Sequence, residues 1–83
     1  MMTPRQCAMA RAALRLSVRD LAAAAMVGVN TVSRFENGKN TEDLSIKRMQ
    51  TALESAGVAF IGDGEQSLGG GLGVRLSVGG TSD

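Results

Sequence analysis

A short segment of the sequence, residues 29–37, combines two apolar residues at helical spacing with side chains that carry hydrogen-bond donors and methyl groups. If residues 29–37 form a helix with Val32 and Phe35 on its buried side, the opposite side is mostly polar. That side exposes Val29, Asn30, Ser33, Arg34 and Asn37. Asparagine can bond bidentately to adenine and arginine to guanine, and the methyl groups of Val29 or Thr31 can touch a thymine methyl group. These residues therefore predict a surface that can enter the major groove of double-stranded DNA.

The composition gives no support to catalysis, a metal site or a cofactor. The 83 residues include no histidine and one cysteine, Cys7, so a zinc site would need carboxylates alone. A glycine-rich stretch over residues 62–73 lacks the Lys-Ser/Thr ending of a phosphate-binding loop. We expect no enzyme, no metal and no cofactor, and we expect Cys7, Met26 and Met49 to pack in the interior. A single cysteine also fits a reducing cytoplasm.

Three short helices are predicted to position the candidate DNA-reading surface. Thr3-Pro4 begins the first, which runs to about Leu14. Ser17, with Asp20 three residues later, can form a capping box for a second helix over residues 18–25. Gly28 is predicted as both turn residue and N-cap of the third helix. Two short helices joined by a tight turn are the helix-turn-helix arrangement.

A fourth helix and two strands are predicted to follow. The fourth helix has Asp43 or Ser45 as its cap, an apolar side and Gly57 as its end. Beyond it, residues 58–61 and residues 74–78 resemble two strands of a loose hairpin. We expect a DNA-binding domain over residues 1–57, a β-ribbon with a glycine-rich loop over residues 58–78, and a flexible tail over residues 79–83.

The charge is divided unevenly between these predicted parts. Residues 1–57 hold eight basic and five acidic side chains, whereas residues 58–83 hold one basic and three acidic ones. The basic part is where we place the DNA surface. Arginines interrupt every apolar stretch near the N-terminus, so we expect neither a membrane span nor a signal peptide.

The pattern Ser17-x-x-x-Leu21-Ala22, then Val27-x-x-x-Thr31-Val32-Ser33-Arg34-Phe35-Glu36-Asn37-Gly38, resembles the XRE family of Cro/CI-type regulators. The resemblance covers residues 5–57. The segment around Ala52-Leu53-Glu54-x-Ala56-Gly57-Val58-x-Phe60-Ile61 is similar to a subgroup of small regulators from prophages and integrative elements. Together with the predicted strands, the resemblance implies a mainly α fold, a four- to five-helix Cro/CI-type helix-turn-helix domain followed by a short two-stranded β-ribbon.

The resemblance also implies roles for individual residues. Base contacts fall on Val29, Asn30, Thr31 and Arg34. Phosphate contacts fall on Ser17, Val18, Arg19, Asn37, Lys39 and Thr41. Arg11 and Glu36 match a family ion pair that braces the first helix against the third.

Two positions depart from the family pattern. Val18 stands where a Gln or Glu often follows the second-helix cap, so only its backbone N–H is left for a phosphate. Met26 stands at the turn glycine of many members, while Gly28 comes two residues later. We expect a slightly altered turn.

These observations predict a transcriptional regulator that represses by occupying an operator. One such domain makes few contacts, so we expect a homodimer that reads two half-sites about one helical turn, roughly 34 Å, apart. Six apolar residues are assigned to the dimer interface: Val58, Phe60, Ile61, Val74, Leu76 and Val78. The alternative is an antitoxin or other interaction module that binds a partner protein through its C-terminal segment. Contact with RNA polymerase stays open.

Overall fold

The protein folds mainly as α-helices. The structure is a computed structural model that describes residues 1–61 and 73–76. In these residues four helices come first: α1 (Pro4–Leu14), α2 (Val18–Ala25), α3 (Val29–Glu36) and α4 (Asp43–Ser55). Two strands follow, β1 (Val58–Ile61) and β2 (Gly73–Leu76). None of the helices in the described ranges is long and apolar enough to cross a bilayer.

Local capping explains where α1 and α2 begin. The Thr3 side chain accepts a hydrogen bond from the Gln6 backbone N–H at 3.1 Å, and the Gln6 side chain accepts one from the Thr3 N–H at 2.9 Å. Ser17 and Asp20 form the same reciprocal pair, at 3.0 and 2.9 Å. Each box satisfies two backbone donors, so both helices start at the predicted residues.

The later helices differ in detail from their predicted limits. α3 ends at Glu36, and Asn37 is its C-cap rather than its last residue. α4 has Glu42 as its N-cap, so the prediction of Asp43 or Ser45 is wrong. Glu42 has extended backbone angles and its carbonyl accepts from the Ile46 N–H at 3.1 Å. Asp43 instead lies in the first turn, where a negative charge favours the helix dipole.

The core lies between the four helices. Its largest fully buried side chains come from every helix: Cys7, Leu21, Val32, Met49 and Leu53. α2 packs against both α3 and α4, and Ala22 of α2 is 2% exposed. A small side chain at that position permits the close approach of two helix backbones. The buried apolar stripes of α2, α3 and α4 therefore determine how the helices are arranged.

The strands pack onto this helical core. β1 and β2 are antiparallel, with Val58 opposite Leu76 and Ile61 opposite Gly73. Val58 is 2% exposed and belongs to the core, while Phe60 packs partly against it. The Gln6 side chain donates to the Ile61 carbonyl oxygen at 2.9 Å, which ties the end of β1 to α1.

This packing changes the predicted dimer interface. Val58 is buried within its own protomer and has almost no surface left for a second copy, so the proposed interface depends on the other assigned residues. Val78 and the tail over residues 79–83 lie outside the described residues, as do the side chains of Val74 and Leu76. Ile61 is partly exposed at the end of β1 and stays a candidate.

Candidate nucleic-acid interface

The turn between α2 and α3 depends on Met26. This residue has a left-handed backbone with φ 59° and ψ 44°, and the Val27 N–H donates to the Ala22 carbonyl at 3.0 Å. Gly28 has φ −73° and acts as the N-cap of α3, so it caps the helix but does not supply the left-handed residue. Met26 thus adopts the conformation itself, at the place where glycine is favoured. Its side chain is 81% exposed, which makes the expectation of interior packing wrong for Met26, whereas Met49 is fully buried.

α3 has one buried side and one exposed side. Val32 and Phe35 lie in the core at 0% and 4% exposure. Val29, Asn30 and Arg34 are exposed, while Thr31 is half-buried. The apolar side holds the helix on α2 and α1, so the four side chains assigned to base contact lie on a helix whose position the core determines.

Arg34 lies beside a cleft between α3 and the loop that follows it. Its Nη2 donates to the Asn40 carbonyl oxygen at 3.5 Å, a long contact for an N–H···O bond. The cleft has a volume of about 210 Å³, and Thr31, Thr41 and Glu42 also line it. A bond of this length holds the guanidinium weakly, so its planar fork of N–H donors can turn to a base edge.

The N-terminus of α2 presents backbone donors beside a cation. The Asp20 and Leu21 N–H groups donate to the side chain and the carbonyl of Ser17. The N–H groups of Val18 and Arg19 come before the first intrahelical hydrogen bond, so the helix itself offers them no acceptor. The Val18 side chain packs partly against the core, so only its backbone can meet a phosphate. Arg19 is exposed, and this helix end can therefore receive an anion.

The loop after α3 holds the other predicted phosphate contacts. Gly38 has φ 79°, and the Lys39 N–H donates to the Arg34 carbonyl at 2.8 Å, which closes the helix end. Asn37 and Lys39 are exposed. The Thr41 hydroxyl donates to the Lys39 carbonyl at 3.0 Å, so it must exchange this partner before it can donate to a phosphate.

An ion pair connects α1 to the end of α3. Arg11 Nε lies 2.8 Å from Glu36 Oε2, and Arg11 Nη2 lies 2.8 Å from Glu36 Oε1. The same guanidinium donates through Nη1 to the Leu16 carbonyl at 3.0 Å. Burial raises the pKa of Glu36, but the bonds from Arg11 and Cys7 and the Arg11 charge outweigh it and hold that pKa below its ordinary value. Glu36 is therefore a charged structural contact.

Cys7 belongs to this network, which the sequence did not predict. The thiol donates to Glu36 Oε2 across 3.2 Å, from a side chain with no exposed surface. Burial, then the contact with Glu36, raises the pKa of Cys7 to about 12. The two residues are 29 positions apart, and no pattern in the sequence links them.

The geometry defines a helix-turn-helix protein in which α2 and α3 form the motif. α3 packs on the core and exposes hydrogen-bond donors and methyl groups on its other side. A family model described as helix-turn-helix matches residues 8–57. The chain belongs to this family, the Cro/CI-type or XRE helix-turn-helix proteins, and is a DNA-binding regulator. No curated protein matches the chain. Within residues 1–61 and 73–76 no cluster of three or more His, Cys, Asp or Glu side chains could hold a metal ion.

Proposed function

We propose that the protein is a homodimeric repressor that binds a palindromic operator with α3 in the major groove. The observation that carries this proposal is that α3 has one buried side and one exposed side. Val32 and Phe35 are fixed in the core, and Val29, Asn30 and Arg34 are exposed on the same helix. A short helix held this way can approach base edges without losing its packing.

Base recognition is assigned to four residues of α3. Asn30 suits adenine and Arg34 suits guanine, because each side chain can form two hydrogen bonds to one base edge. Val29, at 43% exposure, and Thr31 supply methyl groups for thymine. A helix with two polar and two methyl-bearing contacts can therefore distinguish A·T from G·C base pairs.

Phosphate binding is assigned to the two segments on either side of α3. Ser17, Val18 and Arg19 form one side, at the start of α2. Asn37, Lys39 and Thr41 form the other, in the loop after α3. Contacts of this kind set the register of the helix on the duplex and contribute affinity with little sequence preference.

Dimerisation through the C-terminal strands completes the proposal. β1 and β2 form a two-stranded ladder in the described residues, and a two-stranded ribbon is the kind of element that a second copy could extend by strand pairing. Ile61 supplies a partly exposed apolar side chain at the end of β1. The helix-turn-helix family does not favour the alternative of an antitoxin or partner-binding module.

A footprint on the DNA upstream of the protein's own gene tests this function. We expect protection of two inverted half-sites whose centres lie roughly 34 Å apart, overlapping a promoter. Repression of a reporter joined to that promoter should disappear when either half-site is scrambled. Protection of a single asymmetric site by one protein copy would contradict the homodimer, and equal binding to all sequences would contradict the regulator.

A further inference from the structure

The side of α4 that faces away from the core forms one wall of an open groove. α2 and the turn at Met26 form the other wall, and the groove has a volume of about 570 Å³. Ala25 and Ala52 form part of its apolar lining. α4 thus lines the groove with one side and fills the core with the opposite side, through Ile46, Met49 and Leu53.

Two exposed apolar side chains at this groove contribute nothing to the core. Met26 is 81% exposed and Leu44 is 59% exposed. Met26 also adopts a left-handed backbone that glycine adopts without steric penalty. A long, adaptable apolar side chain thus lies in solvent at a position where the backbone conformation favours glycine. Methionine is suited to surfaces that pack against a partner.

Positive charge accompanies the apolar lining. Lys47 and Arg48 line the groove and are exposed, and no acidic side chain lines it in the part of the chain that the structure describes. The wall from Leu44 to Ser55 covers about 16 Å at 1.5 Å per residue, the length of three helical turns. The groove thus has the length, the apolar lining and the charge to receive a short acidic amphipathic helix.

We propose that this groove binds an acidic amphipathic helix of a partner protein. The helix would place an apolar stripe on Met26 and Leu44, with carboxylates beside Lys47 and Arg48. A second copy is a poorer occupant, because a two-fold contact through this groove would bring the cations of both copies together. The groove contains none of the residues assigned to DNA, so this partner is a function beyond operator binding.

An NMR titration of the isotope-labelled full chain tests the proposal. The probe is a synthetic helical peptide of about 16 residues with a leucine stripe flanked by glutamates, and its matched control carries lysines in place of the glutamates. We expect shifts at Met26, Leu44 and Thr51 with the acidic peptide, and binding that weakens as salt is added. Equal binding of the two peptides, or shifts centred on α3, would overturn the proposal.

Two double variants test the charge and the apolar contact separately. Lys47→Glu with Arg48→Glu should weaken the acidic peptide and strengthen the lysine peptide, each by about tenfold or more. Met26→Gly with Leu44→Gln should weaken the acidic peptide by about tenfold while retaining the cations. Unchanged affinity in either double variant would contradict the assignment of the groove.

Folding and DNA binding serve as controls for both variants. Glycine suits the left-handed turn, so Met26→Gly should retain cooperative thermal unfolding. Met26→Gly with Leu44→Gln keeps every charge and should protect operator DNA as the parent chain does, which separates failure of this proposal from failure of the operator function. Lys47→Glu with Arg48→Glu should protect the same operator positions with lower affinity, because the domain loses positive charge. Groove shifts that depend on protein concentration without peptide would show that a second copy occupies the groove, and would overturn the proposal.

Discussion

Arg11 binds Glu36 through two parallel hydrogen bonds, Nε to Oε2 and Nη2 to Oε1, each 2.8 Å long. Its third bond, to the Leu16 carbonyl, brings the loop between α1 and α2 into the same contact. One side chain therefore connects α1, the start of the helix-turn-helix unit and the last residue of α3. Fork-to-fork pairing of this kind fixes orientation as well as distance.

Removing either partner of this pair should destabilise the fold. We expect Glu36→Ala and Arg11→Ala each to lower the free energy of unfolding by about 1–3 kcal/mol, because each leaves a partly buried charge without its partner. The double variant should lose less than the sum of the single losses. Urea unfolding of the four proteins measures this. Arg5→Ala, an exposed arginine on the same helix, is the matched control and should change stability by less than about 0.5 kcal/mol. Strict additivity would show that the pair contributes no coupling.

Stability should fall in acid partly through Glu36. Its pKa in the folded protein lies below the ordinary value of 4.5, so folding is favoured by the ionised carboxylate. That stabilisation is present above pH 4.5 and is lost as pH falls through the folded-state pKa. Thermal melts between pH 7 and pH 3 should therefore show a smaller decrease for Glu36→Gln than for the parent. The hydrogen bond from the Ser17 backbone N–H also lowers the pKa of Asp20. Both proteins should therefore keep some loss of stability in acid. Parallel decreases would contradict the role of Glu36.

The Cys7 thiol should resist modification while the protein is folded. Its pKa of about 12 leaves roughly one thiolate in ten thousand at pH 8, and the side chain has no exposed surface. We expect an aromatic disulfide reagent to react at pH 8 only as fast as the protein opens. Adding urea should raise the rate in step with unfolding followed by circular dichroism. Rapid stoichiometric labelling without denaturant would show that the thiol is accessible.

Arg34 and Lys39 should affect DNA binding in different ways. Arg34→Ala should weaken operator binding by about 1–3 kcal/mol and relax the preference at one base position. Lys39→Ala should weaken all sequences alike and reduce the slope of log affinity against log salt by about one. Titrations of operator and scrambled duplexes at several salt concentrations separate the two effects. If neither substitution changed operator affinity, α3 and its following loop would not be the DNA surface.

The assembly prediction rests on Ile61. Placing a charge there with Ile61→Glu should shift sedimentation from dimer to monomer and weaken operator binding, because the apolar contact between copies is lost. Val58→Ala is the control, since it removes buried volume and should lower stability by about 2 kcal/mol without dissociating the dimer. An Ile61→Glu protein that still sediments as a dimer would place the interface elsewhere.

Local signals in the sequence were enough to predict the helices that carry the candidate site. Thr3-Pro4 and the Ser17–Asp20 box predicted the starts of α1 and α2, because caps depend on residues three positions apart. The spacing of Val32 and Phe35 indicated which side of α3 is buried, since helical periodicity is a short-range property. The N-cap of α4, Glu42, lies one residue before the predicted cap Asp43, because Glu42 caps through its backbone and not its side chain.

Other features depend on contacts between residues far apart in the chain. The Cys7 bond to Glu36 exists because α1 and α3 pack together, and neither residue's neighbours indicate it. Val58 resembled an interface residue in the sequence, but the β1 backbone is held against α1 and α4, and this packing buries it. The sequence by itself determined which segments are helical and which side of α3 is apolar, through caps and periodicity. The tertiary structure alone decided what each side chain meets, because burial and pairing arise only when distant helices come together.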